Sequence, residues 1–263
     1  MKKLFIIIAT CLLIVGCKNT ESEVAGQNEI EEIVGRGYLK VGTTGDYRPL
    51  SFRDTATGGY WGFGIDVAQR IAAKIGVEIQ FVQTSWPTLT DDVMNDTLFD
   101  FAIGGITITE KRKETMAMSD GYLNNGKTIL CRVADTAKYH CVSDLNRKEV
   151  SVMVNPGGLN EKFAKDSLPQ CTLIVYDQNE EIPTQVAIGN ADVMITEITE
   201  APWYVQNDPR LAAPLISKPF THGEIGVLMQ QGKDSLLSIV NATIAEIKSN
   251  GELEKLKVKY GLE

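Results

Sequence analysis

Residues 62–83 read GFGIDVAQRIAAKIGVEIQFVQ, and two hydrophobic periods meet in them. Apolar residues fall at Ile65, Val67, Ala68, Ile71, Ala72 and Ile75, the stripe of one helix face, and Gly76 supplies a stop. VEIQFVQ (77–83) then reads as a strand. A helix that runs straight into a strand is half of a strand–helix–strand crossover. YLKVGTT (38–44) before it and LFDFAIGG (98–105) after it supply further strands. Such alternation specifies a parallel sheet with helices on its faces. SFRDTATGGYWGF (51–63) reads as a hairpin around Gly58-Gly59.

The order then repeats. VSVMV (150–154) is a strand and NEKFAKDSL (160–168) a helix. TLIVYD (172–177) is a strand, EEIPTQVAIGN (180–190) a helix interrupted early by Pro183, and ADVMIT (191–196) a strand. GEIGVLMQ (223–230) reads as one returning strand, followed by one or two closing helices. Two α/β lobes follow, lobe 1 from about 30–126 with 221–263 and lobe 2 from about 127–220. A chain that crosses twice between lobes leaves a cleft. Ligands in open α/β sheets bind at the carboxyl ends of strands. The informative loops are therefore GTTGDY, GGITITEKR, NPGGLN and TEITEAP.

Residues 1–16 stand apart from this pattern. Lys2 and Lys3 precede LFIIIATCLLIV, an apolar run too short for an ordinary membrane span. The run ends in IVGC, which resembles a bacterial lipobox. The resemblance implies a lipoprotein signal peptide over 1–16, cleavage before Cys17, lipid on Cys17, and a polar tether over 17–29. The protein would then lie in the periplasm, held to a bacterial membrane. A formal net charge of −8 and the lack of any basic run argue against nucleic acid as a partner. Export permits a disulfide among Cys131, Cys141 and Cys171, but their odd number leaves the pairing open. Two histidines and no Cys-x-x-Cys argue against a structural zinc site.

YLKVGTTGDYRPLSF, GFGIDVAQRIA, FDFAIGGITITEKRKE and GELEKLKVKYG, in this order, resemble the polar amino-acid-binding proteins of bacterial ABC transporters, over essentially residues 30–262. The fold implied is α/β, the two-lobed type II periplasmic binding protein fold with a ligand cleft between the lobes. TTGDYRPLSFR, TSWPTL (84–89), YLNNGKT (122–128), NPGGLNEKF (155–163) and TEITEA (196–201) are most similar to its enzymatic branch, the periplasmic cyclohexadienyl dehydratases. These convert prephenate to phenylpyruvate, or L-arogenate to L-phenylalanine, with joint loss of water and CO2. Where binding proteins usually carry Gly-Thr-Thr, this chain has Gly158-Leu159-Asn160. The Asn fits the dehydratase branch; Leu159 departs from it and removes a hydroxyl.

The reaction needs an acid, because hydroxide leaves poorly at neutral pH. It requires no metal or organic cofactor, and no motif for one is present. The resemblance implies Glu200 as proton donor, at a helix start facing the cleft; the plainer reading is a carboxylate stabilised by the helix dipole. Lys127 and Asn160 would position the leaving hydroxyl, although most lysines are plain surface and Asn160 could merely cap a helix. Arg112, helped by Thr107, would fork onto a ligand carboxylate; otherwise it is a solvated arginine beside Lys111 and Lys113. Gly157 and Gly158 would keep the turn bare for a carboxylate at the helix N-terminus, with the Leu159 backbone N–H beside them.

Glu197 matches the acidic residue that holds a ligand ammonium in binding proteins, or it caps the helix. Trp86, Tyr47 and Phe52 could wall the ring. Asp66 and Asp100 read as framework. The expected ligand is a small carboxylate: prephenate, arogenate or an amino acid. The alternative is a non-catalytic amino-acid-binding lipoprotein that delivers its ligand to an ABC permease.

Overall fold

A computed structural model describes residues 29–95 and 97–262. The signal peptide, Cys17 and almost all of the tether lie outside the described residues. The helix Phe63–Ile75 forms where the apolar stripe requires it, and Gly76 ends it in the left-handed conformation. Its face, Ile65 to Ala72, is sealed from solvent. Burial of one such Ile or Val side chain stabilises the fold by about 1.5–3 kcal/mol.

That helix packs on a five-stranded sheet. The spatial order is Glu78–Gln83, Tyr38–Thr43, Phe101–Ala102, Leu228–Gln230 and Met116–Met118. The first three strands are parallel, and Leu228–Gln230 runs antiparallel to its neighbours. The second lobe repeats the plan in the order Thr172–Val175, Ser151–Val154, Val193–Glu197, Lys127–Arg132 and Leu211–Ala212. Separate hydrophobic clusters fill the two lobes.

The expected strand over 223–230 is in fact two. Gly223–Ile225 pairs with Leu123–Asn125 in a two-stranded ribbon, whereas Leu228–Gln230 enters the first sheet. The chain changes sheets at Gly226, where a Cβ would meet Ile108 at 2.9 Å. The two crossing segments therefore pair with each other. Pro183 also behaves differently from expectation. It stands in the first turn of the helix Ile182–Ala187 and begins it, because its missing N–H needs no partner there.

The lobes meet across the cleft. Arg48 pairs with Glu180 at 2.7 Å, and Asn179 donates to the Asp46 carbonyl at 2.8 Å. Gly157 touches the opposite lobe: a Cβ there would sit 2.5 Å from Pro87 Cα, and its φ of 75° already favours glycine. The bareness of this turn thus serves lobe closure. Gly157→Ala is expected to disfavour the closed form by about 1–3 kcal/mol. Small-angle scattering would then report a larger radius of gyration for the variant; an unchanged radius would refute the contact.

Candidate functional site

The cleft encloses a cavity of about 20 Å³ lined by residues of both lobes. Tyr47, Trp86, Thr107 and Arg112 face it from one side, and Lys127, Asn160 and Glu197 from the other. Gly158 and Leu159 complete the expected lining. Gly105 and Asn155 also line it and were not anticipated. Gly105 has a signal in hindsight, for it ends the FDFAIGG strand segment. A Cβ there would lie 2.7 Å from the Tyr47 ring. This space holds about one water, so a ring-sized ligand enters only if the lobes part.

Sheet register builds the polar wall. Lys127 and Glu197 are direct partners on the antiparallel strands Lys127–Arg132 and Val193–Glu197. Side chains directly opposite in such a pair project from the same face. Lys127 Nζ lies 2.5 Å from Glu197 Oε1 and 2.6 Å from Asn160 Oδ1. The strand 127–132 escaped the sequence reading, although KTILCR has the length and apolar content of one. Asn160 lies inside the helix Leu159–Ser167, whose cap is Gly158, so capping does not occupy its amide.

Glu197 is buried and fully engaged. Oε1 also accepts from Thr107 Oγ1 at 3.2 Å, and Oε2 accepts from the Tyr47 hydroxyl. Burial pushes its pKa up. The Lys127 ammonium and the hydrogen bonds from Lys127, Tyr47 and Asn125 outweigh that effect, and the net shift is downward. Glu197 is therefore a carboxylate in this closed state. Thr107 was expected to help Arg112 hold a ligand, but its hydroxyl donates to Glu197 instead.

Glu200 stands at the helix start where the sequence places it. It caps the helix Ala201–Asn207 and is completely buried, but it does not line the cavity. Its carboxyl contacts Thr196 Oγ1 and, at 3.4 Å, the Tyr204 hydroxyl. Burial, with the nearby Glu197 and Asp46 charges, pushes its pKa up to about 8 despite the Thr196 hydrogen bond. Two carboxyls three residues apart thus hold opposite protonation states at neutral pH.

Arg112 is pinned from behind. Thr109 caps its short helix, accepting from the Arg112 N–H at 3.2 Å, and Arg112 Nη1 donates to the Thr107 carbonyl at 2.5 Å. Burial lowers its pKa, and the Glu197 charge opposes that shift. No carboxylate pairs with it among the described residues, so its fork is left to an anion in the cavity. Trp86 Nε1 donates to Asp46 at 3.0 Å, and its ring meets Tyr47 edge-on with centroids 5.5 Å apart. Phe52 lies outside the cavity, beneath the Arg48 guanidinium at 3.3 Å.

Asp66 binds Lys259 and Tyr260, and Asp100 binds Arg36, both as framework. The three described cysteines are unpaired. Among the described residues no cluster suits a metal ion, and no helix is long and apolar enough to cross a membrane.

The sequence profile of the bacterial extracellular solute-binding proteins, family 3, matches residues 39–263. The chain belongs to that family. Members of family 3 include both kinds of protein that the cleft suggests. Cyclohexadienyl dehydratase of Pseudomonas aeruginosa is 36% identical over 219 residues, 83% of this chain and 80% of that protein. The crystal structure of the ancestral amino acid-binding protein AncCDT-1, a precursor of cyclohexadienyl dehydratase, superposes with a TM-score of 0.80 at 34% identity, covering 88% of this chain and 98% of that one. A variant of an ancestral cyclohexadienyl dehydratase, AncCDT-3, is 48% identical with a TM-score of 0.54, covering 88% and 95%. Family 3 thus accounts for the two-lobed fold and is compatible with catalysis or with amino-acid binding.

Proposed function

We propose that this family 3 protein is a cyclohexadienyl dehydratase that acts outside the cytoplasmic membrane, anchored through Cys17, and that Glu200 is its proton donor. The observation that carries the reading is the buried trio of Lys127, Asn160 and Glu197 across the cavity from Arg112. The similarity to the Pseudomonas aeruginosa dehydratase supports it. A proton donor must come within hydrogen-bond reach of the leaving oxygen. Burial keeps Glu200 protonated at neutral pH, with a pKa of about 8, whereas the Lys127 ammonium keeps Glu197 ionised. Glu200 is therefore the acid, and the parting of the lobes that admits a ring also gives the leaving oxygen access to it.

In this reading Arg112 anchors the side-chain carboxylate of prephenate, and Tyr47 and Trp86 wall the ring. Lys127 stays paired with ionised Glu197 and, with Asn160, positions the leaving hydroxyl. Glu200 enters the reaction protonated, because burial and the nearby Glu197 charge hold its pKa at about 8. The C–O bond breaks as Glu200 gives its proton to the departing hydroxyl, which leaves as water. The C–C bond to the ring carboxylate breaks as its electron pair enters the ring, and CO2 departs. One proton is consumed, and solvent returns it when the lobes open. Ionised Glu197, three residues away, helps Glu200 hold its proton until the C–O bond breaks.

The test is to mix the protein with prephenate at neutral pH and follow phenylpyruvate by its absorbance in alkali. A no-enzyme control is needed because prephenate aromatises unaided in acid. Saturable production above the control is expected. Production equal to the control would refute the dehydratase reading.

A further inference from the structure

We propose that the mouth of the cleft is a cationic vestibule that draws in anionic ligands before they reach the inner cavity, and that Lys111 is its steering residue. This assignment deepens the dehydratase reading and rests on its placing of the ligand in the inner cavity.

A second cavity, of about 320 Å³, adjoins the inner one. Arg112, Gly158 and Leu159 line both and form the partition between them. The outer space has the size of a small-ligand pocket. It also takes residues from both lobes, Lys111 and Met116 from one, Gly157 and Lys162 from the other. A movement that parts the lobes therefore widens the passage from the outer cavity to the inner one.

The charge of this mouth is one-sided. Lys111, Arg112 and Lys162 line it, and none of its lining residues is acidic. Lys162 is partly neutralised by Asp166 at 2.5 Å. The nearby Lys113 and Lys165 are engaged by Glu110 at 2.9 Å and Glu161 at 2.6 Å. Lys111 is exposed, and no carboxylate pairs with it among the described residues. A free ammonium beside Arg112 is thus a local excess of positive charge on a chain whose formal net charge is −8. The cavity walls focus that field outward. Prephenate carries two carboxylates, and L-arogenate carries two against one ammonium, so both are net anions at neutral pH. The chain as a whole repels them, and this mouth attracts them.

The probe is phenylpyruvate. Its association is followed by stopped-flow tryptophan fluorescence, to which Trp86 in the inner cavity contributes. At about 0.01 M salt the screening length is about 30 Å. There Lys111→Gln is expected to slow association about threefold and Lys111→Glu about tenfold, while Lys111→Arg keeps the wild-type rate. Dissociation should change little. At about 1 M salt, where screening acts within about 3 Å, the rates should converge. Equal rates at low salt would overturn the proposal, as would a difference that persists at high salt, which marks a structural effect. Wild type that binds no phenylpyruvate would overturn it together with the placing of the ligand. The prephenate assay is read separately. Charge-dependent capture with prephenate left intact retains the vestibule and loses the dehydratase reading. Prephenate turnover with association indifferent to Lys111 does the reverse.

Discussion

Glu200→Gln is expected to lower prephenate turnover by about 10²–10⁴-fold, the range in which a positioned general acid acts. Gln has the same length and can keep the contacts with Thr196 and Tyr204. It cannot release a proton to a leaving hydroxyl. Phenylpyruvate binding should survive, because Arg112 and its support at the Thr107 carbonyl are untouched. Glu197→Gln instead removes the anion that pairs with the buried Lys127 ammonium at 2.5 Å, and is expected to weaken phenylpyruvate binding as well as turnover. The pair of variants separates the two carboxyls. If Glu197→Gln collapses the rate with binding kept and Glu200→Gln does not, the donor is Glu197.

The second large effect is on stability against pH, and it belongs to Glu200. Its pKa rises from an ordinary 4.5 to about 8 on folding, chiefly through burial. Between those values the folded protein keeps the proton and the unfolded chain releases it. The unfolded state then binds fewer protons, so stability falls as pH rises, by up to about 1.4 kcal/mol per pH unit. Glu197 and Asp46 push in the same direction as burial, and Lys127 and the Thr196 hydrogen bond oppose it. Glu200→Gln removes this titration and keeps the hydrogen-bonding shape. Melting temperatures from pH 5 to 8 should decline more steeply for wild type than for the variant. Parallel curves would mean that Glu200 is not held neutral.

Much of the lobe architecture was legible because it is local. The 65–75 stripe and Gly76 determined a helix, and VEIQFVQ and VSVMV determined strands, since period and stop signals act within a few residues. The residues Arg112, Lys127, Asn160 and Glu197 were also visible as candidates, carried by resemblance and by their place in loops after strands. Their mutual arrangement was not visible. Lys127 lies 70 residues from Glu197 and 33 from Asn160, and only sheet register brings the three together.

Sequence by itself determined that this chain forms two α/β lobes around a cleft and which charged residues border the loops there. It also named two acidic residues through the resemblance, Glu200 as proton donor and Glu197 for a ligand ammonium or a helix cap. Tertiary structure decided their charge states. Glu197 ends a strand opposite Lys127, whose ammonium keeps it ionised, whereas Glu200, at the cap of the next helix, is buried against Thr196 and Tyr204 and keeps its proton. Hydrophobic period is a property of neighbours along the chain. The direction and charge state of a buried carboxyl depend on what distant strands place against it, and no local pattern encodes that.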